Sequence, residues 1–364
     1  MSTVGHVDLR PLTQARPSSA AVRVFRSHVR QGLFGDDAKA PTVSTLGVVV
    51  ASILFSLEFV ASAVFIVGGI VGSSGDSLVL GIGLASGFLV GVPLYITHVR
   101  NTSRVWKTWF VLAAFARANG WGTQPHTSAP NYPGMPFHTG YRRRVFARVY
   151  RNEPRFFDVA HLAYFTNYGK SRKEHTWTYL ALKLDRRIPH LVVDGLSNNG
   201  ILGSNLPEAV AHNQVLSLEG DFDKYFTLYC PRGYERDALT IFTPDLMALL
   251  IDNVEAFDVE IIDDWLFVYS SRLLPLDDPQ TWMRLLRIVD TVGAKTVSQT
   301  ARYRDDRLVP VNTPPLQRMA STHNFVAPPG QRLRTGRHWK LTVAVTLGFT
   351  LLFAIFAAIV VNGG

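Results

Sequence analysis

Acidic residues and histidines are the side chains of this chain that could support catalysis or metal binding. Four carboxylates lie close together in the sequence: Asp258, Glu260, Asp263 and Asp264. Such a group could bind a cation or transfer protons. Adjacent residues of a strand point to opposite faces, which weakens the case for a working pair at 263–264. We therefore interpret the four chiefly as solvated carboxylates at a turn, and an enzyme would need Asp263, Asp264 and His190 to cluster in a cleft.

The spacings of common catalytic and metal-binding motifs do not occur in the sequence. There is no P-loop, and the histidines form neither HExxH nor HxH. The segment 195–200 misses the GxSxG spacing of a serine nucleophile by one residue, so we interpret it as a turn. Cys230 stands alone, which excludes a disulfide framework and is typical of a small buried residue. His161, His175 and His190 are interpreted as separate polar positions. We predict no catalytic residue, no metal and no cofactor.

Three long apolar segments indicate residence in a membrane. Of 364 residues, 47% are hydrophobic and 18% are charged, whereas soluble proteins carry about 25% charged residues. The segments are 46–71, 78–97 and 341–361. Each has about 20 residues or more, enough for a helix to cross a hydrocarbon core of about 30 Å. The first segment begins too late and is too long for a cleaved signal peptide. We predict three transmembrane helices.

The distribution of basic residues predicts the orientation of these helices. Lysine and arginine recur in residues 1–45, after the second segment and before the third, but do not occur in the loop 72–77. By the positive-inside rule, the N-terminus and the region between the second and third segments are cytoplasmic, and the C-terminus is outside. We expect a multi-pass plasma-membrane protein with a basic cytoplasmic tail over 1–45.

Basic and aromatic residues flank the second and third segments, as is typical of side chains at a membrane surface. Those predicted to lie at the cytoplasmic interface are Arg100, Arg104, Trp106, Lys107, Trp109, Arg334, Arg337, Trp339 and Lys340. Residues 98–120 are predicted as a juxtamembrane helix that ends at Gly120, a residue suited to the position after a helix. This helix either extends the second membrane helix or lies along the interface.

Two features inside the predicted membrane helices have alternative interpretations. Glu58 lies midway along the first helix, where a charged carboxylate is costly and marks a functional candidate. A transporter would use it for proton or ion movement, but we favour a protonated Glu58 that hydrogen-bonds within the helix pair. Gly83, Gly87 and Gly91 recur every four residues on one face of the second helix. They allow close approach of another helix, either the first helix or a second copy of the chain.

The region 121–335 is predicted to fold as an α+β domain with a mainly antiparallel sheet, inserted between membrane helices two and three. Alternating residues predict strands at 156–168, 175–184, 224–230 and 258–270, with the first two forming a hairpin. Helices are predicted from Thr243 and over 278–304. Strands followed by helices, without regular alternation, argue for α+β. The proline-containing stretch 121–140 is predicted as an extended linker.

Basic residues dominate much of the cytoplasmic region, and the densest stretch is 142–155. Nucleic acid could bind there, but no nucleic-acid-binding motif accompanies the charge. Attraction to an anionic membrane surface, about 1 kcal/mol per basic residue, is the simpler interpretation. We therefore expect the lipid bilayer and its anionic headgroups as partners, together with an unidentified protein partner. A homo-oligomer stays open, and nucleic acid is disfavoured.

Three segments carry a family likeness. They are 175–190 (HTWTYLALKLDRRIPH), 218–252 (from LEGDFDKYFTLYCPRGYERDA to FTPDLMALLID) and 258–269 (DVEIIDDWLFVY). Together they resemble an uncharacterised family of bacterial, mainly actinobacterial, integral membrane proteins with a domain of unknown function. The resemblance covers about residues 140–270. It implies a plasma-membrane location in a bacterium and carries over no catalytic residue.

The expected function is non-enzymatic, because a well-patterned domain occurs without a catalytic constellation. We expect the cytoplasmic domain to bind a protein partner or an anionic lipid surface, as a scaffold or accessory subunit. The alternatives are a membrane-tethered enzyme with an unrecognised site and a small oligomeric transporter that uses Glu58.

Overall fold

A computed structural model describes residues 5–14, 17–34, 45–72, 75–168, 171–200, 204–218, 220–308 and 324–335. They form two units, a helical unit over 14–113 and a sheet unit over 1–13 and 114–364. The third predicted membrane segment, 341–361, lies outside the described residues, so the insertion of the domain between helices two and three stays a prediction.

Two long apolar helices make up most of the helical unit. The chain begins with the one-turn helix α1 (Arg10–Thr13) and continues with α2 (Ser19–Arg30), α3 (Thr45–Val71) and α4 (Gly75–Ala118). By length and composition, α3 and α4 could cross a membrane, which suggests that the chain is membrane-associated. With 44 residues, α4 is about 66 Å long, about twice what a bilayer core requires. The predicted juxtamembrane helix is therefore the continuation of α4, not a separate element.

The region predicted as a tail contains a packed helix. Ser18 precedes α2, and its hydroxyl accepts a hydrogen bond from the Ala21 amide at 3.2 Å, which caps the helix. On the buried face of α2, Phe25 meets the rings of Trp106 and Phe110 at centroid distances of 6.3 and 5.7 Å. Such edge-to-face contacts stabilise the packing of α2 on α4.

Seven antiparallel strands form the sheet unit, which confirms the prediction of an α+β fold with an antiparallel sheet. The strands are β1 (Gly122–Ser128), β2 (Tyr141–Arg151), β3 (Phe157–Tyr168), β4 (Ser171–Gly195), β5 (Val215–Leu216), β6 (Phe226–Tyr229) and β7 (Asp258–Ser270). The first four lie side by side, and β3 and β4 form the predicted hairpin. β3 and β6 pair with one edge of β4, β3 along its first half and β6 at its end. β7 pairs with the opposite edge of β4.

Short helices complete the sheet unit. They are α5 (Met135–His138), α6 (Glu235–Ile241), α7 (Pro244–Val254), α8 (Pro279–Ile288), α9 (Ala294–Thr300) and α10 (Pro328–Gln331). The predicted helix starts at Thr243 and Asp278 are confirmed, and the Asp278 side chain accepts from the amides of the first turn of α8. A methyl group on Gly293, between α8 and α9, would lie 2.6 Å from Leu182. Glycine therefore lets this helix pair pack closely on β4.

The strands β4 and β7 bend sharply around the core. The hydroxyl of Tyr269 donates to Oε2 of Glu260 at 2.9 Å, although nine residues of straight strand span about 30 Å. The backbone of Asp263, between them, has a positive φ of 53°. Such an irregularity kinks the strand and changes the side-chain alternation, so Glu260 and Tyr269 face each other. The turn predicted at 263–264 is thus a bend inside one continuous strand.

One face of the sheet packs an aromatic core. Its buried residues are Tyr132, Phe137, Val145, Ala160, Leu162, Tyr164, Trp177, Tyr179, Ala181, Ile262, Phe267 and Tyr269. The prediction of an extended linker over 121–140 is wrong, because this stretch supplies β1, α5 and the core side chains Tyr132 and Phe137. Proline usually interrupts regular structure, but Pro136 lies in the first turn of α5, where no amide donor is needed.

Candidate functional site

A cluster of basic residues lies at the end of the sheet where β2 begins and β3 turns into β4. We define the basic tip as Arg142, Arg143, Arg144, Arg172 and Lys173. The strand register brings these residues together: Tyr141 pairs with Phe165, and Thr166 and Asn167 pair with Lys173 and Arg172. The sequence predicts a dense basic stretch over 142–155, but it does not place Arg172 and Lys173 beside that stretch, because the whole of β3 lies between them in the chain.

Aromatic rings order part of the basic tip. The guanidinium carbons of Arg144 and Arg172 lie 5.4 and 4.3 Å from the centroid of the Phe165 ring. The neighbouring Tyr141 is 37% exposed, and its hydroxyl donates to Asn167 at 2.7 Å. A cation–π contact at an exposed site contributes about 0.5–1 kcal/mol. These contacts therefore position the arginines while their N–H groups can still bind an anion.

Positive charge exceeds negative charge at the basic tip. Glu174, on the same end of β4, forms an ion pair with Arg144 at 2.5 Å. Arg143 donates to the carbonyl oxygens of His138 and Gly140, which keeps its charge at the surface. In the part of the chain that the structure describes, the other four members of the tip form no ion pair with an acidic residue.

The later arginines of the dense basic stretch stabilise the sheet. Arg148 pairs with the buried Asp158 at 2.9 Å. The side chain of Arg151 is buried and donates to the carbonyl oxygen of Arg155 at 3.1 Å, and Arg155 itself pairs with Asp185 at 3.4 Å. Only the beginning of the predicted basic stretch is thus available to a charged partner.

The tryptophans predicted for the membrane interface are buried. Trp106 and Trp109 are 1% and 3% exposed, and their rings contact each other at 5.3 Å. This burial disagrees with an aromatic belt in contact with lipid, and the reason at Trp106 is α2, which covers it with Phe25. Of the basic residues predicted beside them, the structure leaves Arg100 and Arg104 exposed and Lys107 half-buried.

The interface residues predicted near the third apolar segment are only partly described. Arg334 is exposed, and its backbone forms two hydrogen bonds of 2.9 Å with the side chain of Gln214. Arg334 therefore belongs to the sheet unit, and its position at a membrane stays a prediction. Arg337, Trp339 and Lys340 lie outside the described residues.

Glu58 lies against the second apolar helix. A methyl group on Gly87 would be 2.7 Å from Oε1 of Glu58, and one on Gly91 would be 3.1 Å from the ring of Phe55. Small residues at these two positions thus make room for side chains of α3.

The predicted glycine stripe does not coincide with all of this helix contact. Among the described residues, a methyl group on Gly83 would meet no atom within 4 Å. Gly81, which lies outside the predicted stripe, is instead at the contact, where a methyl group would be 2.7 Å from Ile66. The Gly81 carbonyl oxygen also accepts a hydrogen bond from Ser62 at 2.9 Å.

The groups that an enzyme would need have separate partners. Asp263 pairs with Arg332 (3.0 Å), Asp264 with Lys183 (2.8 Å) and His190 with Glu260 (2.8 Å). The structure therefore does not join these carboxylates and the histidine in one hydrogen-bonded cluster. Asp258 and Glu260 are 0% exposed, so their interpretation as solvated carboxylates at a turn is wrong. Among the described residues, no group of three or more His, Cys, Asp or Glu side chains is arranged to hold a metal ion.

A buried polar network in the core had no signal in the sequence. The Oδ2 atom of Asp158 accepts hydrogen bonds from the Tyr132 hydroxyl (2.7 Å), the Tyr179 hydroxyl (3.1 Å) and the Arg148 guanidinium (2.9 Å). Burial, together with the Asp158 charge, raises the pKa of both tyrosines, so their hydroxyls stay protonated and donate. The network holds the segment before α5 on the sheet.

Comparisons with known proteins do not show a family. No protein-family model matches the chain. No curated protein matches it in sequence. A solved structure, the crystal structure of the mycobacterial trehalose monomycolate transport factor A, TtfA, is similar over 53% of this chain and 94% of that chain, with 11% identity and a TM-score of 0.37. A similarity of this size supports no conclusion about fold or activity.

Proposed function

We propose that the chain is a membrane protein whose sheet unit binds anionic lipid headgroups through the basic tip. The observation that supports this proposal is the group of four exposed basic side chains, held together at one end of the sheet by the β3–β4 hairpin. Guanidinium and ammonium groups donate charge-assisted hydrogen bonds to phosphate oxygens. The predicted three-span plasma-membrane topology, with a cytoplasmic domain in a scaffold or accessory role, is part of the proposal.

The expected strength of this contact suits a tethered domain. At about 1 kcal/mol for each basic residue near an anionic surface, four charges contribute about 4 kcal/mol. That corresponds to a dissociation constant of about 1 mM, too weak to hold a free protein on a membrane. In a chain that also carries two apolar helices, the high effective concentration makes the same contact sufficient.

The aromatic residues of the basic tip favour lipid over nucleic acid. Sheets that bind single-stranded nucleic acid stack bases on exposed aromatic rings. Here Phe165 is only 9% exposed, and its ring already contacts Arg144 and Arg172. The neighbouring Tyr141 is 37% exposed. The tip therefore offers more exposed positive charge than stacking surface, which suits a headgroup phosphate.

A fluorescent label next to the basic tip tests the proposal. Ser171 is exposed at the start of β4, so Ser171→Cys can carry an environment-sensitive fluorophore. The native Cys230 is 2% exposed, and burial raises the pKa of its thiol to about 12, so it should not be labelled in the folded protein. The full chain is placed in nanodiscs of phosphatidylcholine with or without phosphatidylserine. We expect reduced solvent accessibility of the label in anionic nanodiscs, reversed as salt shortens the screening length.

Two matched double variants distinguish the effect of the basic tip from the effect of the overall positive charge. Arg142→Gln/Lys173→Gln removes two exposed charges of the tip, and Arg236→Gln/Arg287→Gln removes two exposed charges elsewhere in the same unit. Only the first variant should weaken the lipid-dependent change of the label, because it halves the exposed charge of the tip. Equal signals in neutral and anionic nanodiscs, or equal losses in the two variants, would contradict the proposal.

A further inference from the structure

Two buried carboxylates face each other where β4 ends and β7 begins. Val193 pairs with Val259, so Asp194 and Asp258 are the next residues of two antiparallel strands and point to the same face. They are 2% and 0% exposed. Burial raises the pKa of Asp194 to about 6, and burial together with the Asp194 charge raises that of Asp258 to about 7. Two such groups repel each other when both are ionised.

Residues of the loop after β4 donate hydrogen bonds to the Asp258 carboxylate. The Gly195 amide and the Asn198 side-chain amide donate to Oδ1 of Asp258 at 3.0 and 3.1 Å. A methyl group on Gly195 would be 2.7 Å from the carbonyl oxygen of Phe257, so glycine permits this close approach. The loop therefore turns tightly over the start of β7.

The same loop encloses the Asp194 side. Asn199 and Ser204 lie beside Asp194, and their side chains partly offset the rise in its pKa that burial causes. Asn205 donates from its backbone to Oδ1 of Asn199 at 3.0 Å and from its side chain to the carbonyl oxygen of Asn198 at 3.2 Å. Both carboxylates are thus tied to one short stretch of asparagine and serine residues.

Four side-chain oxygens of this cluster are buried and accept no hydrogen bond within the described chain. They are Oδ1 of Asp194, Oδ2 of Asp258, Oδ1 of Asn198 and Oδ1 of Asn205. A buried polar atom without a partner costs about 1–3 kcal/mol, so the unpartnered oxygens of the two facing carboxylates, with two amide oxygens from the loop beside them, favour an electropositive ligand. Lysine and arginine do not supply it, since among the described residues neither carboxylate forms an ion pair.

We propose that Asp194, Asp258, Asn198 and Asn205 form a binding site for a hard divalent cation, with Ca²⁺ as the preferred ion. Carboxylate and amide oxygens are the ligands that Ca²⁺ takes, in a flexible shell of six to eight that water can complete. Mg²⁺ demands a stricter octahedral shell and releases its water reluctantly. Zinc prefers nitrogen and sulfur ligands, and the cluster contains neither histidine nor cysteine. The ion would neutralise both carboxylates and join β4, β7 and the loop.

Terbium luminescence and thermal unfolding test the site in the full chain. The protein is placed in nanodiscs of phosphatidylcholine alone, in slightly alkaline buffer, so that neither lipid charge nor protonation interferes. Tyr229 lies close enough to Asp194 for that charge to help burial raise its pKa, so it can sensitise bound Tb³⁺. We expect sensitised Tb³⁺ emission that Ca²⁺ displaces, a higher unfolding midpoint with Ca²⁺, and an affinity for Mg²⁺ at least about tenfold lower.

Isosteric variants test whether the Ca²⁺ response comes from this cluster. Asp194→Asn and Asp258→Asn keep the side-chain shape and remove a buried charge, so both should fold. Each should lower the Ca²⁺ affinity at least about tenfold. Asp221→Asn, which changes a carboxylate 68% exposed to solvent, should leave the affinity unchanged. An unfolding midpoint that Ca²⁺ does not move would overturn the proposal and indicate carboxylates that share a proton. An unchanged Ca²⁺ response in both cluster variants would overturn it as well.

Discussion

The Nδ1 atom of His190 lies 3.0 Å from the backbone nitrogen of Leu333. Because a backbone N–H can only donate, this ring nitrogen carries no proton, and Nε2–H donates to Glu260 at 2.8 Å. Through these two hydrogen bonds, His190 connects β4 and β7 to the segment 324–335. That segment precedes the third predicted membrane helix in the chain, so the contact fastens the end of the sheet unit.

Removal of this imidazole should release the segment it holds. In His190→Leu, Leu333 loses its acceptor and Glu260 loses one donor, at a cost of about 1–3 kcal/mol for the buried group. We expect faster hydrogen exchange at 332–335, while β3 and β4 keep their protection. The exposed His212 provides the control His212→Leu, which should exchange like the native chain. Unchanged exchange at 332–335 in His190→Leu would show that the histidine does not fasten the segment.

Local patterns in the sequence were sufficient for much of this fold. Alternating residues at 156–168 and 175–184 predicted the β3–β4 hairpin, and the Thr243–Pro244 pair predicted the start of α7. In both cases the decisive interactions are between near neighbours in the chain. The apolar helices α3 and α4 were predictable for the same reason, since composition and length define them.

Features that depend on distant residues were not predictable. Prolines in 121–140 suggested a linker, because partners that bury Tyr132 and Phe137, such as Tyr179 and Phe267, lie more than 40 residues away. The bend at Asp263 depends on the pairing of β4 with β7, and a local sequence pattern cannot predict that pairing. The candidate sites were also only partly predictable. The arginines of β2 form a dense basic run in the sequence, whereas the positions of Asp194 and Arg172 beside their partners follow only from strand register.

Breaking the buried ion pair of the core should destabilise the sheet unit. In Arg148→Met, the fully buried carboxylate of Asp158 loses its counter-charge and keeps only two tyrosine donors. Removal of one partner from a buried pair costs about 3–5 kcal/mol. The double variant Arg148→Met/Asp158→Asn removes the remaining charge and should recover part of this loss. The measurement is the unfolding free energy of both variants and of Asp158→Asn alone, and additive effects would show that the two residues are not coupled.

Acid should weaken the protein through His161. Burial lowers its pKa in the folded chain to about 4, whereas an unfolded histidine titrates near 6.5. Between these values the unfolded chain takes up a proton that the folded chain does not. Stability therefore falls as the pH decreases from about 6.5 and levels off near about 4, by at most about 3 kcal/mol. The difference in unfolding midpoint between the native chain and His161→Asn, followed against pH, isolates this effect. A difference that does not change with pH would contradict it.

Two glycines of α4 should respond differently to the same substitution. A side chain on Gly87 would meet Oε1 of Glu58 at 2.7 Å, whereas among the described residues one on Gly83 would meet nothing within 4 Å. Gly87→Leu should therefore force α3 and α4 apart and lower the unfolding midpoint in nanodiscs, while Gly83→Leu should be tolerated. Overpacking of this kind costs about 1–3 kcal/mol. Adding Glu58→Ala to Gly87→Leu should restore part of the midpoint, because it removes the atoms that clash. Equal loss in Gly83→Leu and Gly87→Leu would show that the contact with Glu58 does not determine the packing.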